Sequence, residues 1–201
     1  MTSAGASPRN GPLVTFGPPN QDEALFRGKA VAMSEAIDTL SVLSPVSGTA
    51  MTLDSVPDPT FSAGMVGPGV AIHPEPGQEG GQERKQEAVA PIAGTLVKLH
   101  PHAFVVMAPD GSRGVLVHLG IDTVQLAGEG FDLMATQGER VEAGAPVIRW
   151  SPGTVATAGK PSVVPVVALD ASAGALTEEA RGAVVHGDPL FVWGRGTTRT
   201  E

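Results

Sequence analysis

Apolar residues in this chain come in short runs cut apart by Gly, Pro and Asp. GTLVKL (94–99), FVVM (104–107), GVLVHLGI (114–121), PVIRW (146–150), SVVPVVAL (162–169) and LFVW (190–193) are mostly β-branched and too short for core helices. Many such runs with turn residues between them predict an all-β sandwich or barrel. Helices should be few and brief, in GFDLMATQ (130–137) and LTEEARG (176–182).

Two internal echoes organise these runs. VLSPVSGTAMTL (42–53) is similar to AVAPIAGTLVKL (88–99), and VEAGAPVIRW (141–150) to VVHGDPLFVW (184–193). Each pair repeats Pro, Gly and apolar residues at like offsets, which predicts a pseudo-symmetric structure of repeated hairpins packed on each other. Trp150 and Trp193 fall at equivalent places, as core or sheet-edge residues.

Outside the runs the chain changes character. Residues 1–38 are rich in Gly, Pro and Ser and lack a regular apolar period, so they read as a disordered leader. Within it EALFRGKAVAMSEAI (23–37) could form a short helix, and Met33 is an alternative start. One domain is expected over 39–194, with HPEPGQEGGQERKQE (73–87) as a solvated loop inside it and 195–201 as a flexible tail.

Composition narrows the chemistry. The chain has 201 residues and no cysteine, which excludes disulfides, thiolate nucleophiles and Cys-containing zinc sites. A net charge of -8 without a Lys/Arg cluster argues against nucleic acid or an anionic membrane surface as partner, and suits a basic protein partner. No apolar run approaches the roughly 20 residues needed to cross a bilayer, and no secretory signal is visible. A cytoplasmic protein with no membrane insertion is the expectation.

Three of the five histidines, His100, His102 and His118, flank an Asp110-Gly111 turn. By strand alternation, a two-residue turn there would pair position 102 with 119 and send the His102 and His118 rings to opposite sides. A three- or five-residue loop centred on Asp110 would set the rings face to face, so a two-imidazole site calls for an odd or bulged loop. His73, read as a loop residue, and His186, in the repeat VVHGDPL, are taken as ordinary surface residues. His118 differs from them: it interrupts the apolar run VLVHLGI and precedes Asp122 by four residues, so a polar group stands where burial needs a partner or a use.

Two chemistries fit these residues. A neutral imidazole can accept a phosphoryl group while a second one contacts its oxygens. Alternatively, His100-x-His102 and His118-x-x-x-Asp122 have zinc-ligand spacing, as in hydrolases of the lysostaphin type, although the order of the two elements is reversed here. A purely regulatory binding module is a third reading.

SPVSG, VPDPTF, MVGPGVAI, APIAGTLVKL, HAF, VHLGIDTVQLAGEGF, GERVEAGAPVI and GDPLF occur in order between about residues 40 and 193. Together they resemble the enzyme IIA component, glucose family, of the bacterial phosphoenolpyruvate:sugar phosphotransferase system. The resemblance implies a flattened antiparallel β-sandwich and a phosphocarrier. It implies that Nε2 of His118 takes the phosphoryl group from phospho-HPr and passes it to a cysteine of a permease IIB domain, with His102 assisting onward transfer. It further places Asp58 and Asp122 beside the site, facing basic residues of HPr, and Phe61, Val66 and Phe104 in an apolar ring around it. His100 stands where many relatives carry a Thr that hydrogen-bonds the active imidazole, which suggests an orienting role for it. No cofactor is required on this reading. A zinc bridging His102 and His118 at a partner interface is compatible with it, as are regulatory protein targets that respond to phosphorylation.

Overall fold

The apolar runs form strands that end at their flanking turn residues. A computed structural model of the chain describes residues 39–75, 78–79, 82–83 and 85–194. The expected leader, with its short helix and Met33, and the expected tail lie outside the described residues. In chain order the strands are β1 (Thr39–Leu43), β2 (Gly48–Thr52), β3 (Gly69–Pro74), β4 (Gln78–Glu79), β5 (Gln82–Glu83), β6 (Gln86–Val89), β7 (Gly94–His100) and β8 (Ala103–Met107). They continue as β9 (Gly114–His118), β10 (Phe131–Leu133), β11 (Arg140–Val141), β12 (Pro146–Trp150), β13 (Val164–Ala168), β14 (Leu176–Thr177), β15 (Gly182–Val184) and β16 (Pro189–Gly194).

An eight-stranded sheet has the order β11-β7-β8-β9-β13-β3-β2-β15, and two three-stranded sheets have the orders β1-β16-β14 and β10-β12-β6. Every ladder among the described residues is antiparallel. One buried cluster joins the large sheet to the small ones: Val70, Phe104, Val106, Val115 and Val117 from the first, Val42, Trp150, Leu190 and Phe191 from the others. This is a β-sandwich, one of the two architectures that the strand pattern predicts and the one that the family resemblance implies.

The internal echoes mark a pseudo-twofold between β9 and β13. β1, β2, β15 and β16 pair among themselves as β6, β7, β11 and β12 do, with β14 and β10 as matching third strands. Leu43 N–H donates to Pro91 O at 2.8 Å while Val89 N–H donates to Pro45 O at 2.9 Å, so the two copies exchange equivalent bonds. Trp150 lies opposite Phe131, and Trp193 opposite Leu176. Both indoles are buried, as expected of core residues.

Helices among the described residues are few and brief, as expected, but do not lie where they were expected. Phe131–Leu133 and Leu176–Thr177, taken for helix starts, are strands because each completes a ladder beside a tryptophan strand. Among the described residues the two short helices are α1 (Pro59–Ser62) and α2 (Pro152–Thr157), each opened by a side-chain cap and a proline in the first turn. Asp58 accepts from Thr60 N–H, and Ser151 from Thr154 N–H. The 73–87 stretch is not one loop: His73 belongs to β3, opposite Thr49, and Gln86 begins β6.

The copies differ where it matters for function. β7 and β8 are joined by the two residues Pro101 and His102, whereas their counterparts β2 and β3 are joined by the long segment 53–68 carrying α1. That segment folds over the outer face of the large sheet, where Leu53, Val56 and Phe61 form a second apolar cluster with Ala71, Ile121, Val163 and Val167. β13 is therefore buried on both faces, and His118 stands at the edge of this cover.

Candidate active site

β9 alternates cleanly. Val115 and Val117 point into the main core, while Leu116 packs on the outer cluster and His118 shares its face. The β9–β13 ladder stops at Val117 opposite Val166. Leu169 N–H bonds Gly114 O at 2.9 Å, and hydrogen-bonded pairs recur at every second position, so the next such pair would set His118 against Pro165. Pro165 has no N–H to give, and the chain leaves the sheet there.

The turn after β9 fixes the imidazole. Gly120 has φ +77, and a Cβ there would lie 2.7 Å from Thr123 Cγ2 and 2.9 Å from Pro161 O. Ile121 N–H bonds Pro161 O at 2.8 Å and Thr123 Oγ1 donates to Leu119 O at 2.8 Å, which pin the turn on both sides. Its carbonyl is thereby aimed at Nδ1 of His118, 2.6 Å away. A carbonyl oxygen only accepts, so Nδ1 carries the proton and the neutral ring keeps its lone pair on Nε2.

The register across β8–β9 is the one expected to separate the rings. Ala103, not His102, lies directly across from His118, and Leu119 N–H bonds His102 O at 2.7 Å. Yet the rings of His102 and His118 have centres 5.3 Å apart, inclined at 59°. An odd or bulged hairpin loop is thus unnecessary: His102 belongs to the β7–β8 turn, outside the strand, where alternation no longer directs its side chain. His100, opposite Ala103 at the end of β7, stacks on His102 with centres 5.9 Å apart and planes 16° from parallel. Phe61 completes the row at 5.5 Å from the His118 ring.

Burial holds the His118 imidazole below its ordinary value, outweighing the Gly120 hydrogen bond and the charges of Asp58 and Asp122, which act to raise it. Burial also lowers His102, assisted by repulsion from His118 and His100. Both rings are accordingly biased to the neutral form. Asp122 follows the turn in the left-handed region, at φ 57, and is exposed.

The residues singled out in the sequence therefore divide. His118, His102, Phe61, Asp58 and Asp122 come together, and Val66 packs on the same outer cluster as Phe61. Phe104 does not join the apolar ring: it is fully buried on the opposite face of β8, against Val117. His100 touches His102, while the hydrogen bond that orients His118 comes from Gly120. Sequence reasoning missed Gly120 in this role, although a glycine two residues after a histidine that interrupts an apolar strand was a visible sign of a special turn. Among the described residues no group of three or more His, Asp or Glu side chains is arranged to hold a metal ion, and the hydrolase reading of the H-x-H and H-x-x-x-D spacings has no support. Among the described residues, no helix is long and apolar enough to cross a membrane.

Comparison with known proteins places this geometry in context. Residues 40–173 match the family described as phosphoenolpyruvate-dependent sugar phosphotransferase system, EIIA 1. The chain is 31% identical over 156 residues to the PTS system glucose-specific EIIA component of Staphylococcus aureus, covering 76% of this chain and 88% of that protein. It is 38% identical over 144 residues to the PTS system mannose-specific EIIBCA component of Corynebacterium glutamicum, which covers 71% of this chain but 19% of that longer protein. Among solved structures, glucose permease IIA from Mycoplasma capricolum superposes with a TM-score of 0.68 at 33% identity, over 77% of this chain and 95% of that one.

Proposed function

Because the chain belongs to the EIIA 1 family of the phosphoenolpyruvate-dependent sugar phosphotransferase system, we propose that it carries a phosphoryl group on Nε2 of His118, taken from phospho-HPr and delivered to a permease IIB domain. The observation that carries the assignment is the 2.6 Å hydrogen bond from Nδ1–H to the Gly120 carbonyl, which leaves Nε2 as the nucleophile.

In the first step the Nε2 lone pair attacks phosphorus, the bond to the donor's histidine nitrogen breaks, and that nitrogen takes back its electron pair. Nδ1 keeps its proton throughout, donating it to the Gly120 carbonyl. Positive charge that develops in the ring is met by this carbonyl dipole and by Asp58 and Asp122. In the second step an acceptor thiolate attacks phosphorus and the electron pair of the P–N bond returns to Nε2. His102, with its ring beside that of His118, is placed to contact the phosphoryl oxygens as they move.

Docking draws on two properties of the face. Phe61 and Val66 give it an apolar floor, and Asp58 and Asp122 give it negative charge for a basic donor surface. Incubating the chain with phosphoenolpyruvate, enzyme I and HPr should attach an acid-labile, base-stable phosphate. Label that persists in His118→Gln would refute the assignment.

A further inference from the structure

His102 is held differently from His118. Among the described residues no hydrogen bond reaches the His102 ring, and it sits in a two-residue turn where the strand does not direct it. What it has is two neighbouring rings: His118 at 5.3 Å, inclined at 59°, and His100 at 5.9 Å, nearly parallel at 16°. His118 is itself fixed by Gly120, so it is one fixed neighbour. The second neighbour is His100, whose place at the end of β7 is set by its pairing with Ala103.

We infer that His100 is a positioning residue for onward phosphoryl transfer, its flat ring holding the His102 imidazole against His118. This rests on the reading above that His102 assists delivery from His118, and gives His100 a different duty from orienting His118 directly. Packing supplies the constraint: a flat neighbour stacked on an otherwise unbonded ring removes rotamers that would swing it into solvent. A planar hydrocarbon ring at position 100 can do the same, whereas a small side chain cannot. His100 is exposed at the strand end, so its replacement leaves both apolar clusters intact.

The test is rapid-mixing transfer from the phosphorylated full chain to a IIB domain, with loading from phospho-HPr measured separately. His100→Ala should load like the parent and deliver about threefold to tenfold more slowly, the effect of losing one aromatic pair, and His100→Phe should recover most of the rate. In the His100→Ala/His102→Gln double variant delivery should be no slower than in His102→Gln alone, since one residue acts through the other. Unchanged delivery in His100→Ala, additive losses in the double variant, or rescue by Gln but not by Phe would each overturn the inference. If His102→Gln itself delivers normally, the assisting role of His102 fails and the inference with it. A slow His102→Gln beside a normal His100→Ala refutes the inference alone.

Discussion

The imidazole of His118 and the carbonyl of Gly120, two residues apart in the chain, meet at 2.6 Å, and this contact decides which ring nitrogen is free. The geometry depends on glycine at 120, since its φ of +77 and the crowding from Thr123 and Pro161 leave no room for a side chain. Gly120→Ala should therefore cost about 1–3 kcal/mol of stability. Phosphoryl loading per folded molecule should drop with it. Thermal unfolding and labelling of the same preparation check both. Normal loading by a destabilised Gly120→Ala protein would show that the carbonyl does not orient the ring.

Protonation provides a second check. With its folded-state value held below that of an unfolded histidine, about 6.5, His118 stays neutral and nucleophilic into mildly acidic solution. Loading should persist as pH falls below 6.5, with a midpoint under that value. For stability the sign is fixed by linkage: the unfolded chain takes up protons first, so His118 and His102 favour the fold fully above about 6.5 and lose that contribution as pH falls through their folded values. His118→Gln should flatten the decline. Histidine NMR titration gives the midpoints directly, and a value for His118 at or above 6.5 would contradict the burial argument.

Charge on the rim should act on encounter. Asp58→Asn keeps a capping side chain for α1, so the fold should be little changed. Loading from phospho-HPr should slow severalfold at low ionic strength, and the difference from the parent should shrink at high salt. Equal rates at low salt would remove Asp58 from the docking surface.

Two phenylalanines separate core from site. Phe104→Ala empties a fully buried position and should cost about 3–5 kcal/mol without altering the chemistry of molecules that remain folded. Phe61→Ala removes the ring beside His118 and should impair loading per folded molecule. Denaturant titration paired with loading rates distinguishes them, and identical behaviour of the two variants would contradict the assignment of opposite faces.

The strands and the pseudo-symmetry were legible because both follow from local patterns: β-branched runs bounded by Pro and Gly, and two echoed segments that became matching ladders. Short edge elements were not, since Phe131–Leu133 and Leu176–Thr177 are strands only by virtue of the tryptophan strands beside them. At the site, His118 was visible as a polar interruption of an apolar run and His102 through its clustering with His100 and His118. Their approach was misjudged because alternation was extended into a turn it does not govern, at Pro101 and His102. Phe104 shows the same limit from the other side: its distance from His118 in sequence is small along the ladder, yet one step of register puts it in the core.

Phosphoryl transfer to Nε2 of His118, with Nδ1 keeping its proton and donating it to the Gly120 carbonyl, is the core of the mechanism. Nitrogen-15 and phosphorus-31 NMR of the enzymatically phosphorylated, isotopically labelled chain reads this directly. Phosphorus coupled to Nε2 of His118, with the Nδ1 proton still observed, is the predicted result; phosphorus on Nδ1, or on His102 or His100, would contradict it.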